Sequence, residues 1–360
     1  MDTELLRSLQ RDTGDNTDTC ETGNEYDGRL GLRVSSIFVI MAGSMIAAVF
    51  PVLVKRSSTV GAKCKRIAHW VFFIAKYFGS GVIIATAFIH LLAPAEEALR
   101  DDCLAGPISE YPWVEGIILM TIIALFLVEL MIMRHSYFST SQQSDIIDNG
   151  GRCLGGVDNF GGCNQVKHHL PMDDNLSRPQ EHKDAEVARG NFAFVDDYAA
   201  QLIGVFILEF GIIFHSIFIG LTLAVAGSEF TALYIVLTFH QTFEGLGLGS
   251  RLAMIPWPTS RRWTPYVLGT VYGLTTPIAI AVGLGVRNTY PPSGRTTLIV
   301  NGVFDAISAG ILIYTGLIEL IAREFLFNSF MRRTPLRTVW SAFLLLCLGA
   351  GLMALLGRWA

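Results

Sequence analysis

The chain has few charged residues for its length. Asp, Glu, Lys and Arg make up 16% of its 360 residues, whereas hydrophobic residues make up 51% and the mean hydropathy is positive. Soluble globular proteins usually carry about 25% charged residues. This shortage of charge argues against an ordinary soluble domain and against a nucleic-acid partner. It indicates a protein whose main surroundings are the lipid bilayer.

Three familiar sequence patterns are also absent. The first 33 residues are polar and acidic and lack a basic start followed by an apolar core, so we expect an extracellular tail over 1–33 and no cleavable signal peptide. The absence of HExxH argues against the most familiar zinc-hydrolase site. CxxC pairs are missing as well, so a folded zinc module is not predicted.

Eight apolar stretches are each long enough to cross the hydrocarbon core, which takes roughly 20 residues. They are 34–54, 67–92, 114–133, 199–226, 230–255, 265–286, 298–322 and 339–356. The sequence therefore predicts an all-α integral membrane protein of eight transmembrane helices. Spans one to three occupy 34–133, and spans four to eight occupy 199–360.

Basic residues are concentrated in alternate loops. The loops after spans one, five and seven carry Lys55, Arg56, Lys63, Lys65, Arg66, Arg251, Arg261, Arg262, Arg323, Arg332, Arg333 and Arg337. The loops on the opposite side carry only Arg100, Arg287 and Arg295. Because basic residues favour the cytoplasmic side, both termini are predicted to be extracellular, and we expect a plasma-membrane location.

The segment 134–198 falls between spans three and four, on the predicted cytosolic side. It is polar and glycine-rich and shows no helical periodicity, so it is predicted to be a flexible loop that contacts metal. The candidate metal contacts are Cys153, Cys163, His168, His169 and His182. The alternative is a featureless linker. On the opposite side, Cys20 and Cys103 could pair in an oxidising environment.

Two of the apolar stretches contain residues that are costly to bury in a bilayer and often mark a transport pathway. His240, Gln241 and Glu244 lie in span five, and His215 and Ser216 lie at similar depth in span four. His240 and Glu244 are four residues apart, which places them on one face of a helix. Imidazole and carboxylate groups suit zinc and related divalent transition metals. The alternative is that each histidine only donates to a neighbouring carbonyl.

Further polar groups are distributed along the membrane normal. His90 and Asp305 are predicted near the outer ends of their spans, and Glu209 and Glu319 nearer the inner ends. A pathway needs such a series of groups, whereas a structural zinc site is normally closed by four protein ligands.

Glycines flank the same groups. Gly245 and Gly249 form a GxxxG face after Glu244, and Gly220 follows His215. Small residues let helices approach closely, so ordinary transmembrane packing explains these glycines fully. The alternative prediction is that they let spans four and five bring their histidines together.

The polar stretches resemble a known family. HSIFIGLTL at 215–223 and HQTFEGLGLG at 240–249 resemble the paired motifs of the plant and fungal branch of the ZIP divalent-metal transporters, as do IIATAFIHLLAPA at 83–95 and NGVFDAISAGILIYTGLIEL at 301–320. The resemblance implies import of zinc into the cytosol through spans four and five, with iron(II), manganese or cadmium as alternative substrates. It also implies an inverted repeat of spans one to three and six to eight around that pair.

One departure from the family pattern concerns the number of metals. Members with a two-metal centre have a carboxylate four residues after the span-four histidine, where this chain has Ile219, and another after the span-five glutamine, where it has Thr242 and Phe243. The resemblance therefore implies a single metal site. Its ligands would be His215, His240 and Glu244, with Gln241 and Ser216 as weaker candidates.

These observations predict a transporter rather than an enzyme. Zn²⁺ is expected as its transported substrate and not as a catalytic cofactor. The predicted partners are divalent metal ions, the lipid bilayer and a second copy of the chain in a homodimer. An intramembrane zinc-dependent hydrolase and a metal-sensing receptor are the alternatives, and metal flux in sealed vesicles would separate transport from both.

Overall fold

The computed structural model is all-helical where it describes the chain, namely residues 20, 23–24, 26–57, 62–104, 106–149 and 180–359. The α-helices are α1 (Leu30–Ser57), α2 (Ala62–Ala85), α3 (Ala93–Leu99), α4 (Pro107–Glu110), α5 (Trp113–Asn149), α6 (Gln180–Val225), α7 (Phe230–Met254), α8 (Thr264–Val286), α9 (Arg295–Tyr314), α10 (Ser329–Arg333) and α11 (Leu336–Leu356). Two π-helical segments, Thr86–Leu92 and Thr315–Phe327, follow α2 and α9 without a break. The predicted all-α class is confirmed.

Seven helical stretches of the described chain are long and apolar enough to cross a membrane. They are Leu30–Arg56, Ala68–Leu99, Trp113–Ile132, Gln201–Val225, Thr259–Val286, Arg295–Arg333 and Leu336–Leu356. The helix α7, predicted as span five, has 25 residues but is not among them. It is long enough to span, but His240, Gln241 and Glu244 at its centre lower its hydropathy. The count of eight spans therefore stays a prediction.

Two helices extend into the segment 134–198, which was predicted to be an irregular loop. The helix α5 continues to Asn149, and α6 begins at Gln180. Extending an existing helix needs no new nucleus, so polar residues can continue a helix that starts as an apolar span. Hydrophobic periodicity does not detect such an extension.

The chain divides into two compact units. One comprises Met1–Leu125 and Ile203–Ala360, and the other is Phe126–Leu202. In the first unit, α1 packs against α7 and α8, while α2 packs against α11 and α7. In the second unit, the described residues are the end of α5 and the beginning of α6.

The glycine face of α7 packs against α1 and not against α6. A Cβ at Gly245 would lie 2.9 Å from the carbonyl oxygen of Ser44, and a Cβ at Gly249 would overlap the backbone of Ala48. Gly220 of α6 likewise packs against Ala279 of α8. The prediction that these glycines bring spans four and five together is therefore wrong, because a GxxxG face specifies close packing but not which helix supplies the partner.

The start of α1 is tied to the end of α6 by a buried arginine. The guanidinium of Arg33, which is fully buried, donates to the carbonyl oxygens of Leu223 at 3.1 Å and Ala224 at 2.8 Å. It also donates to Asp27 at 2.8 Å. A cation at a helix C-terminus satisfies carbonyls that have no partner within the helix. Arg33 thereby fixes the C-terminal end of a helix that carries the candidate site.

Candidate metal centre

The helices α6 and α7 bring three buried metal-ligating side chains together. His215 comes from α6, and His240 and Glu244 lie one turn apart on α7. One ligand atom from each lies within 4.8 Å of the other two, and all three residues are at most 5% exposed. Two ligands of a tetrahedral zinc lie about 3.4 Å apart, so small side-chain rotations would bring these atoms to binding distance.

Most polar atoms of this cluster lack a hydrogen-bond partner among the described residues. These atoms are Nε2 of His215, both ring nitrogens of His240, both carboxylate oxygens of Glu244 and Oε1 of Gln241. His240 Nε2 lies 3.4 Å from Glu244 Oε1. Buried polar atoms normally have partners, and a concentration of orphans around one point fits a cation that they would share. Nitrogen and carboxylate donors are the set that Zn²⁺ prefers.

Asp305 lies beside His215. Its Oδ1 is 3.7 Å from Nδ1 of His215, and neither this Oδ1 nor Nε2 of His215 has a hydrogen-bond partner among the described residues. The Asp305 residue is 9% exposed. Metal-binding histidines commonly direct their second nitrogen towards a carboxylate, which fixes the ring and increases its basicity as a ligand. The sequence predicts Asp305 on the entry path, which stays a prediction, and the structure adds that Asp305 lies beside a candidate ligand.

His90 also lies at the site. Its ring centroid is 4.5 Å from that of His240, with the two rings nearly perpendicular at 88°. Its Nε2 lies 2.9 Å from the carbonyl oxygen of Met353 in α11. His90 belongs to the first π-helical segment, which changes the angular register of the residues that follow it. A depth estimate from the sequence cannot show this contact, because it assumes regular helix geometry.

Gln241 and Ser216 face each other beneath the histidines. The amide Nε2 of Gln241 donates to Ser216 Oγ at 3.4 Å, and both residues are fully buried. The main-chain oxygen of Gln241 accepts a hydrogen bond of 2.6 Å from the hydroxyl of Tyr272, which is also fully buried in α8. Sequence reasoning did not identify Tyr272, since a tyrosine in an apolar span carries no signal of its own.

A cleft of about 400 Å³ leads to the cluster. Its lining includes His90, His215, His240, Asp305 and also Ile219. The same cleft is lined by Glu97 and Asp101 of the acidic segment after the first π-helical segment. Ile219 thus faces the same cleft as the candidate ligands.

Two carboxylates predicted on the inner path lie elsewhere in the same unit, Glu209 buried and Glu319 half-buried. Neither oxygen of Glu209 has a hydrogen-bond partner among the described residues, and the residue is 4% exposed. The carboxylate of Glu319 packs against Gly204, where a Cβ would collide with it, and lies 3.8 Å from Arg323. Glycine at position 204 of α6 therefore leaves space for the side chain of Glu319.

A further buried acid was not predicted. Glu324 pairs with Lys76, accepts a hydrogen bond of 2.9 Å from the Tyr77 hydroxyl and accepts another of 3.2 Å from Asn328. Lys76 lies within predicted span two, whereas Glu324 lies two residues beyond the end of predicted span seven. A basic residue within a predicted span is a signal that could have prompted a search for an acidic partner.

The predicted metal contacts of segment 134–198 are not tested by the structure. Cys153, Cys163, His168 and His169 lie outside the described residues. His182 lies in the described backbone of α6, but its side chain is outside the description.

Comparison with known proteins places this geometry in context. The sequence pattern of a family described as ZIP Zinc transporter matches residues 30–357. The chain is 41% identical to Zinc-regulated transporter 2 of Saccharomyces cerevisiae, over 96% of this chain and 98% of the relative. It is also 41% identical to Zinc-regulated transporter 1 of the same yeast, over 94% and 90%. Identity to Zinc transporter 3 of Arabidopsis thaliana is 33%, over 95% and 89%.

Proposed function

The chain belongs to the ZIP zinc transporter family, and on that premise we propose that it carries Zn²⁺ across a membrane and into the cytosol through the buried His215, His240 and Glu244 cluster. It is a transporter and not an enzyme. The observation that carries the proposed site is the convergence of these three ligands, with their unpartnered atoms, on one point. Gln241 and Ser216 are proposed as weaker ligands beneath it.

The cleft provides the entrance. Glu97 and Asp101 add negative charge to its lining, which attracts a hydrated cation. The ion then exchanges water for imidazole and carboxylate groups at the cluster, while Asp305 holds the ring of His215 from behind. His90 extends the polar lining above His240.

Release on the other side requires a rearrangement that gives the cluster a second exit. Glu209 is the proposed next acceptor, because its two unpartnered oxygens are buried in α6, the helix that carries His215. Glu319 follows as a further acceptor. The segment 134–198 is proposed to meet the metal in the cytosol.

Two features support the proposed orientation, with both termini outside. The basic residues of alternate loops favour the cytoplasmic side for the loops after spans one, five and seven. The disulfide between Cys20 and Cys103 is expected in an oxidising compartment, which supports an extracellular position for these two cysteines and for the cleft entrance near Asp101. A plasma-membrane location fits this arrangement, and a homodimer stays a prediction.

The types of ligand in the proposed site limit which metal ions it accepts. Imidazole groups favour zinc over magnesium and calcium, which prefer oxygen ligands. Iron(II), manganese and cadmium accept mixed nitrogen and oxygen ligands, and we propose them as competing substrates.

Uptake of radiolabelled zinc into vesicles containing the purified protein tests the site. We expect His215→Ala, His240→Ala and Glu244→Ala each to reduce uptake to near background, because each removes one of few ligands. His69→Ala is the matched control, since His69 is an exposed histidine of α2 outside the cluster and should leave uptake unchanged. Normal uptake in any of the three variants, at equal protein in the vesicles, would remove that residue from the site.

A further inference from the structure

A second pocket lies where α1 and α7 end and α8 begins. It has a volume of about 270 Å³, and three basic side chains contribute to its lining: Lys55, Arg56 and Arg262. No acidic residue is among the described residues that line it. We call this feature the basic pocket. Its charge makes it a site for an anion and not for the transported cation.

The two helix ends beside the basic pocket also favour positive charge there. The ammonium of Lys55 donates to the carbonyl oxygens of Ala253 at 2.5 Å and Met254 at 3.4 Å, so the negative end of α7 is already covered. The positive end of α8 begins beside the pocket, and its first residues are not capped by the side chain of Trp263. A helix N-terminus of this kind favours a negatively charged group.

The remaining lining is aromatic and apolar. Trp257 and Tyr266 face the pocket together with the buried Val52 and Ile255, and the indole of Trp257 donates to the carbonyl oxygen of Leu252 at 2.7 Å. Tryptophan and tyrosine are enriched at the boundary between hydrocarbon and headgroups.

Two exposed apolar side chains are next in sequence to residues that line the basic pocket. Leu53 of α1 and Val267 of α8 are 51% and 57% exposed, and each lies next in sequence to a residue of the pocket lining. The basic side chains would complement the negative headgroup of a lipid, and the apolar side chains would complement its acyl chains.

We propose that the basic pocket binds the phosphate headgroup of an anionic lipid from the cytoplasmic leaflet. A soluble anion would use the three cations but not the apolar lining or the exposed leucine and valine. Basic pockets between transmembrane helices on the cytoplasmic side are a known way to hold such lipids. The assignment to the cytoplasmic leaflet rests on the orientation given under Proposed function. At about 270 Å³ the pocket fits a headgroup and leaves the acyl chains against the outside of the helices.

The test measures lipid binding to the full-length protein in detergent by native mass spectrometry. The probes are short-chain phosphatidylinositol phosphate, short-chain phosphatidylcholine and inorganic phosphate. Each basic residue near a membrane surface contributes about fivefold in affinity, so the double variant Arg56→Gln with Arg262→Gln should bind the anionic lipid about 25-fold more weakly. The control is Arg332→Gln with Arg333→Gln, which removes the same charge from two exposed residues outside the pocket and should bind normally.

Selective loss in the first double variant, with weak binding of phosphatidylcholine, supports the lipid site. Equal loss in both double variants would overturn it, because binding would then follow total basic charge. Displacement of the lipid by inorganic phosphate at similar concentration would also overturn it, since the site would then recognise free phosphate. Lipid binding is measured without zinc, so either result leaves the uptake test of the transport site independent.

Discussion

At the scale of single residues, the site depends on groups that hold the ligands as well as on the ligands. Asp305 Oδ1 lies 3.7 Å from Nδ1 of His215. A carboxylate in that position selects the ring orientation that directs Nε2 towards an ion. The amide of asparagine has a similar shape but no charge, so it separates this role from simple space filling.

We expect Asp305→Asn to weaken the apparent affinity for zinc by about 10–100-fold at equal protein level. The control is Glu97→Gln, which removes the same charge from the same cleft at an exposed position. That change should cause a small loss that shrinks at high ionic strength, because exposed charges are screened. Zinc uptake as a function of zinc concentration and salt distinguishes the two. If both variants lose affinity equally and with the same salt dependence, Asp305 only attracts the ion to the cleft.

Ile219 is the second residue with a clear test. It lines the cleft with His215, and it also packs against an apolar cluster that includes Leu223 and Leu237. Ile219→Glu would add an oxygen ligand and a negative charge, so we expect tighter zinc binding, slower release and better acceptance of manganese. The control is Ile219→Gln, whose side chain has nearly the same size as glutamate but no charge, so it should not tighten zinc binding. Equilibrium zinc binding that is unchanged in a well-folded Ile219→Glu protein would contradict the idea that this position reaches the metal.

At the scale of helices, Arg33 secures α6 to α1. Removing one partner of a buried charged contact typically costs about 3–5 kcal/mol, because the remaining polar groups lose their partner. Arg33→Met should therefore lower the thermal unfolding temperature clearly. Arg29→Met, which removes a partly exposed arginine of the same segment, should change it little. A small change in the Arg33→Met protein would mean that water or another group replaces the guanidinium.

The segment that contains Asp27, Arg29 and Arg33 also predicts that the thermal stability of the protein decreases at acid pH. The hydrogen bond from Arg29, and then that from Arg33, hold the pKa of Asp27 below its usual value of 3.8. A lowered pKa in the folded protein adds stability that is present above the usual pKa and lost as the pH falls through the lowered one. The unfolding temperature should therefore fall more below pH 4 in the original chain than in Asp27→Asn. Equal acid sensitivity of the two proteins would exclude Asp27 as a contributor.

Element geometry also shows where sequence reasoning stops. The apolar stretches and the spacing of His240 and Glu244 were enough to predict an all-helical membrane protein and to select the residues that converge. The contact between His90 and His240 was not predictable, because the π-helical segment changes the register after Ala85. The partner of the Gly245 and Gly249 face was not predictable either, since the pattern shows only that some helix comes close. Tyr272 reaches the site through tertiary packing alone.

At the scale of the whole molecule, the polar residues of the candidate site make the number of transmembrane spans difficult to predict from hydropathy. The helix that carries His240 and Glu244 is long enough to span but fails the hydropathy test that seven other stretches pass. Seven spans would place the two termini on opposite sides of the membrane, whereas eight would place them on the same side. The disulfide between Cys20 and Cys103 fixes only that the N-terminal tail and the segment before α4 share a side.

Epitope tags at the two termini therefore test the predicted number of transmembrane spans. We expect tags at the N-terminus and at the C-terminus both to be stained on intact cells, and a tag inserted near residue 160 to be stained only after permeabilisation. The reason is that burial of His240, Gln241 and Glu244 within the protein removes the cost of exposing them to lipid, so α7 can span despite its low hydropathy. Zinc uptake by each tagged protein is the control for correct folding. Staining of only one terminus on intact cells, in proteins that still take up zinc, would show that the number of crossings is odd and that the prediction of eight spans is wrong; α7, which has the low hydropathy, would be the first span to be withdrawn.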